Sequence, residues 1–266
     1  MLYEKSLPQK KVQIEGSSAY AESITLDSVA HLTKALELPG LAGAKNPRFL
    51  DIGANIGFTS LVIDQTVTGA EIHCFEPHPK TYSQLEENIS RNATGGNAIS
   101  KYPIALGERE GELPFRDIDL YNTGNSLLRD GSLASHQNKI VVPVKTLDSL
   151  ELCKDRGIDL VKIDVEGFEM DVLKGGKTTF SKTKIVLLEF NHWCLSSIAR
   201  VFPEDAMNTL FDTFEAVFLY DTSLRAFRRL QTDAEKWSFL HQNMVRFNVN
   251  DLLCTNDTET IRSLSA

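Results

Sequence analysis

The stretch Arg48–Ile63, "RFLDIGANIGFTSLVI", decides the fold. Phe49–Ile52 is a short apolar run of the kind a buried strand makes. Gly53-Ala54-Asn55-Ile56-Gly57 is a turn, and apolar residues then recur at helical spacing from Gly57 to Gln65. Glycine at two positions of one turn lets the backbone be approached closely. A strand, a glycine turn and a helix in that order form the first half of a βαβ unit, and ligands of such sheets bind beyond the carboxyl ends of the strands.

Downstream, the same alternation continues. Glu71–Pro77 ("EIHCFEP") is a second strand, with a helix over about Thr81–Arg91, and Ala98–Leu106 ("AISKYPIAL") is a third strand. Short extended pieces then interrupt the pattern as a hairpin insertion would: "GELPFRDID", "GNSLLRDGS" and "KIVVPVKTL". Alternation resumes with Asp159–Gly167 ("DLVKIDVEG"), a helix over Phe168–Leu173 and a strand over Thr183–Asn191 ("TKIVLLEFN"). A helix around Pro203–Phe214, "EAVFLYD", and the segments "SFLHQNMVRF" and "VNDLLCT", both read as extended, complete the chain. Upstream, helical spacing of Ile24, Val29, Leu32 and Leu36 predicts a helix over about Glu22–Leu38, stopped by Pro39-Gly40. The expectation is a Rossmann-like α/β sandwich: a mostly parallel sheet with helices on both faces, a hairpin insertion, and late strands that pair antiparallel. Residues 1–47 are read as a helical extension and 48–266 as a single catalytic domain.

The 266 residues are 42% hydrophobic and 24% charged, enough to bury one sizeable core. A net charge of −8 weighs against nucleic acid as the main partner, since phosphate neutralisation needs a basic face. Cys74, Cys153, Cys194 and Cys254 show no metal spacing, and Cys74 and Cys254 sit in apolar runs as reduced buried thiols. With no signal core and no long apolar run, the expected place is the cytoplasm, with no membrane span.

The glycine turn is not a dinucleotide fingerprint. G-x-G-x-x-G is broken by Asn55, the last glycine comes one place early, and Asp51 precedes the turn. An acid beside a pyrophosphate repels it, whereas a ligand carrying an ammonium and a sulfonium tolerates it. D-x-G-x-x-x-G therefore points to S-adenosylmethionine. Glu76 ends the second strand about 20 residues past Gly53, where an acid meets a ribose diol in such folds.

"FLDIGANIGFTS", "FEPHPKTYSQLEENI", "YPIALGEREGELPF", "VKTLDSL" and "IDLVKIDVEGFEMDVLKGG" together resemble the FkbM-type methyltransferase family, over about Arg48–Asn191. The resemblance implies a class I S-adenosylmethionine fold and O-methyl transfer, often to sugars or polyketide-like natural products. It implies that Asp51, Gly53, Asn55 and Gly57 lie against the methionine part, Glu76 with Pro77 at the ribose, and Ala105 and Leu106 near the adenine. The acceptor is then a small molecule or glycan. A NAD-dependent oxidoreductase and a non-catalytic S-adenosylmethionine-binding protein are the competing readings.

A hydroxyl acceptor must lose its proton, so a base is useful. Asp164 and Glu166 (with Glu169 nearby) lie around the end of the fourth strand; if the strand persists, alternation points Asp164 and Glu166 the same way. No companion metal ligands are recognisable, and no metal is assigned. His192 follows the fifth strand and suits proton removal; Asn191 and Trp193 beside it suit a sugar. Asn125 and Ser126, in "YNTGNSLL", are further candidates for contact with donor or acceptor.

Overall fold

The computed structural model describes residues 2–6, 11–15, 29–117, 126–128 and 138–265, with the backbone alone for 2–6 and 11–15. The central sheet has eight strands in the order β12-β11-β13-β10-β9-β3-β4-β5. β3 (Arg48–Ile52), β4 (Glu71–Phe75), β5 (Ala98–Tyr102), β9 (Leu160–Ile163) and β10 (Ile185–Phe190) run parallel. β13 (Asn250–Thr255) lies antiparallel to both β10 and β11 (Ala216–Asp221), and β12 (Ala226–Arg229) pairs antiparallel to β11.

The interior strands read as unbroken apolar runs because both faces are covered. Along β3, Phe49 faces one core layer with Leu32, Leu61 and Leu85, while Leu50 and Ile52 face the other with Ile163, Phe180 and Phe190. Each such side chain, fully buried, contributes about 1.5–3 kcal/mol. On the first face lie α1 (Ala30–Leu36), α3 (Phe58–Thr66) and α4 (Pro79–Asn92); on the second lie α5 (Glu169–Gly175), α6 (Lys177–Phe180), α7 (Pro203–Thr213) and α8 (Asp233–Arg246). The insertion is a three-stranded sheet of β6 (Ala105–Leu106), β7 (Gly111–Arg116) and β8 (Lys139–Lys145), in the order β6-β8-β7. Phe115, Val142 and Val144 join it to Phe168 and Ile198 in a third, smaller cluster.

Several expectations change. The third strand divides at Pro103: β5 ends at Tyr102, and Ala105–Leu106 leaves as β6 to pair with β8. Proline offers no N–H to continue a ladder. "SFLHQNMVRF" is helical, in α8. Its start is a capping box in which the Thr232 side chain accepts from Glu235 N and the Glu235 side chain accepts from Thr232 N. The chain also ends in a helix, α9 (Thr258–Ser265), that pattern reading did not identify. The segment before Pro47 opens with an antiparallel pair, β1 (Leu2–Ser6) with β2 (Lys11–Glu15), in keeping with the two-residue alternation of "KVQIE". Of the expected Glu22–Leu38 helix, 22–28 lie outside the described residues. Pro39 does not stop it outright but starts another turn, α2 (Pro39–Ala42), from the first helical position. All four cysteines are buried and free. Among the described residues no helix is long and apolar enough to cross a membrane.

Candidate active site

The carboxyl ends of β3, β4, β9 and β10 open onto one cavity of about 900 Å³. The glycine turn makes one wall. Gly53 N and Ala54 N donate to Phe75 O at 3.0 and 2.9 Å, tying the turn to β4. Gly53 has φ +82°, and a Cβ there would run into the Asp164 carbonyl oxygen. At Gly57, φ +89°, a Cβ would come 2.7 Å from Leu85 Cδ1. What approaches these glycines is therefore the protein itself: the end of β9 at one, α4 at the other. Asn55, also left-handed (φ 49°), donates its N–H to Glu76 Oε2 at 3.0 Å, and His78 N donates to Glu76 Oε1 at 2.8 Å. Burial pushes the Glu76 carboxyl up to about 7, against the pull of those two N–H groups.

Gly53, Asn55, Glu76, Pro77, Ala105 and Leu106 all line the cavity. Asp51 and Gly57, expected against the ligand, do not. Asp51 is fully buried beneath the turn, where Ser60 Oγ donates to its Oδ2 at 2.5 Å. Asp51 stands one residue short of the end of β3, in register with Lys162 of β9, and the Ser60 hydroxyl of α3 covers its carboxylate.

The second wall follows β9. The strand does not persist to Glu166: it ends at Ile163, and Glu166 takes φ 54°. Both acids nevertheless line the cavity. Lys162 Nζ donates to Asp164 Oδ2 at 2.6 Å. Burial works against the Lys162 charge, but Asp164 and Asp51 hold the ammonium above the usual lysine range. Cys194 Sγ donates to Glu166 Oε2 at 3.0 Å, and burial with neighbouring Asp164 pushes that carboxyl up to about 8. Glu189 of β10 completes an acidic group in which oxygens of Asp164, Glu166 and Glu189 lie within 4.8 Å of one another. Burial, then Asp164 and Glu166, raise the Glu189 carboxyl well above the ordinary range. Glu169 is not in the lining; its Oε1 accepts from Val165 N at 3.1 Å and Gly167 N at 3.0 Å and so shapes the turn.

Beyond β10, Asn191 and Trp193 line the cavity, and Trp193 is 45% exposed. Asn191 Oδ1 accepts from Trp193 N at 3.1 Å and Cys194 N at 3.3 Å, which coils the chain and turns the residue between them aside. His192 thus departs from its expected place. Its Nδ1 lies 3.2 Å from Asn243 Oδ1, its ring packs 5.3 Å from that of Phe247, and it is absent from the lining. Asn125 lies outside the described residues. Ser126 is buried and its carbonyl accepts from Arg116 N at 2.8 Å, but it is Leu127 and Arg116 that reach the cavity.

Among the lining residues not singled out in the sequence are Lys162 and His31. Lys162 had a signal, a cation inside the apolar run "LVKI". His31 had a fainter one, a polar residue one turn before Ala35 on the buried stripe of α1.

The methyltransferase FkbM domain matches residues 51–219. The chain belongs to the FkbM methyltransferase family. As an FkbM methyltransferase it uses S-adenosylmethionine as methyl donor. It is 26% identical over 168 residues to the 2-O-methyltransferase NoeI of Sinorhizobium fredii, covering 58% of this chain and 68% of that one. To the hexuronic acid methyltransferase AglP of Haloferax volcanii it is 28% identical over 206 residues, 73% of this chain and 77% of that one. Among solved structures, the catalytic domain of hMettl16 in complex with the MAT2A 3′UTR hairpin 1 superposes with TM-score 0.50 at 10% identity, over 93% of this chain and 75% of that one, a likeness of fold.

Proposed function

We propose that this FkbM methyltransferase moves a methyl group from S-adenosylmethionine to a hydroxyl of a sugar, a glycan or a related natural-product precursor. One observation carries the reading: a single cavity runs from the glycine turn and Glu76 to Asn191 and Trp193, so donor and acceptor share one space. Holding two reactants in alignment is most of what such a displacement needs. NoeI and AglP, by their names a 2-O-methyltransferase and a hexuronic acid methyltransferase, support a sugar acceptor.

The lining suits the donor. Glu76 faces the cavity with each oxygen bonded to only one backbone N–H, leaving acceptor capacity for a ribose diol. Ala105, Leu106 and Ile104 offer an apolar shelf for an adenine, and Asn55 and Gly53 a backbone wall for the aminoacyl part. Asp164 and Glu166 favour a cationic centre between the two ends. When bound, the donor supplies an activated methyl group on a sulfonium. Asp51 and Gly57 act from below, one holding Lys162 and Ser60, the other seating α4. Trp193 offers an aromatic face and Asn191 a polar edge to the acceptor. His192 acts through Asn243, shaping the rim on which the acceptor rests.

The make-up of the lining argues against nucleic acid as the acceptor. Asp164, Glu166, Glu189 and Asp251 outnumber Lys162 and Arg116 in the lining, the reverse of a phosphate-binding face. Free buried thiols fit a reducing cytoplasm. Labelled donor offered with methyl hexosides, methyl hexuronides, oligosaccharides and an RNA hairpin tests the reading. Label is expected in a sugar. Label in the RNA alone would overturn it.

A further inference from the structure

His31, on α1, belongs to none of the recurring motifs, yet it reaches the same cavity. Its residue is 4% exposed, and its Nδ1 lies 3.0 Å from Asp251 Oδ2 on β13. Its Nε2 is buried and has no hydrogen-bond partner among the described residues. Both His31 and Asp251 are part of the cavity wall. Burial raises the Asp251 carboxyl to about 7; above that pH its carboxylate at Nδ1 selects the tautomer with the proton on that nitrogen, which leaves a lone pair on Nε2. A buried nitrogen with an unused lone pair is costly unless a partner comes to it.

We propose that His31 Nε2 removes the proton of the acceptor hydroxyl, with Asp251 orienting the ring and stabilising the imidazolium that forms. The inference rests on the reading of the cavity as a methyl-transfer site.

The strand-end acids crowd one another: oxygens of Asp164, Glu166 and Glu189 lie within 4.8 Å, and burial with that crowding holds the Glu166 and Glu189 carboxyls above the usual carboxylate range. Asp164 Oδ2 is held by the Lys162 ammonium at 2.6 Å, and Glu166 Oε2 by the Cys194 thiol at 3.0 Å. His192 Nδ1 is at Asn243. The groups facing His31 are Asp251 from β13, Lys162 from β9 and the Tyr220 ring from β11, 6.3 Å away and edge-on. Burial, and then the Lys162 charge, lower the imidazole to about 3, so the ring is neutral and ready to accept across the neutral range. A weak base suffices here. An oxygen that is gaining a third bond is a far stronger acid than an imidazolium. As the acceptor O–H bond breaks, its proton passes to Nε2 and the bonding pair stays on oxygen. That oxygen bonds to the methyl carbon while the carbon–sulfur pair leaves with sulfur, so the sulfonium becomes a neutral thioether. The imidazolium then returns its proton to solvent.

Ring ¹⁵N NMR on the full-length protein, with and without S-adenosylmethionine, reads the geometry without any acceptor. The expected result is a neutral His31 with Nδ1 protonated and Nε2 bare; a proton on Nε2 would overturn the proposal. Turnover is read with whichever methyl hexoside or hexuronide the wild type methylates. His31→Gln is expected to lower kcat by about 10²–10⁴-fold with calorimetric donor affinity unchanged, and added imidazole is expected to restore turnover to His31→Ala. Near-normal kcat in folded His31→Gln would sink the proposal, as would failure of imidazole to rescue a folded His31→Ala. If the wild type methylates no glycoside, the sugar-acceptor reading fails and the ring signals alone decide the dyad.

Discussion

Gly53 is glycine because the Asp164 carbonyl lies where its Cβ would stand, and Gly57 because Leu85 does. The turn is dense within the protein and presents its outer edge, Asn55 and the Glu76 carboxylate bound to it, to the cavity. Glu76→Ala is expected to weaken S-adenosylmethionine binding by about 1.5–3 kcal/mol, the range for hydrogen bonds to charged groups. Calorimetric titration checks this; unchanged affinity in a folded variant would take Glu76 out of the site. At this scale the motif residues at strand ends were legible, because a strand's carboxyl end fixes where its next residue points. The side chains whose roles depend on a distant partner were not. Asp51 reads as a ligand contact until Lys162 is seen beside it. His192 reads as the base until Asn243 is seen to hold its ring, and His31 gains meaning only from Asp251, far along the chain.

Elements were legible where a single period ran unbroken, as in β3, β4 and β10. They were misread where periodicity and capping disagreed. "SFLHQNMVRF" looks extended by its apolar residues, but Thr232-Asp233-Ala234-Glu235 ahead of it carries a helix start. α8 is then docked by Asn243, which is fully buried: its two Nδ2 hydrogens are shared among Phe190 O at 3.1 Å, Asn248 O at 2.8 Å and Asn250 Oδ1 at 2.9 Å. Asn243→Ala leaves those acceptors short of a partner and is expected to cost about 3 kcal/mol, read as a lower Tm with donor affinity retained. The turn between β9 and α5 gives a pH-dependent expectation. Burial raises the Glu169 carboxyl from 4.5 to about 7. Between those values the folded protein holds a proton that the unfolded chain has lost, so this group's contribution to stability falls as pH rises through that window and is level above it. Glu169→Gln keeps an oxygen for Val165 N and Gly167 N but carries no charge. It is expected to match the wild type near pH 5 and to melt higher at pH 8. Thermal scans at both values check the sign.

Across the whole molecule, the order of strands and helices was enough to place the cavity, because parallel βα units leave their functional ends on one edge. Its acidic interior was only partly foreseeable, since Glu189 and Asp251 meet through the β10–β13 pairing of segments far apart in sequence. The clustered acids are balanced from within by Lys162, and Asp164 and Glu166 already have donors. Activity is therefore expected to survive exhaustive chelation; loss that magnesium or manganese restores would show that the acids hold a metal. Transfer to a sugar hydroxyl is read by carbon NMR of the product made with a ¹³C-methyl donor. The expected product is a methyl ether whose carbon correlates through oxygen to a sugar ring carbon. A methyl found on nitrogen, on carbon or as a carboxyl ester would contradict it.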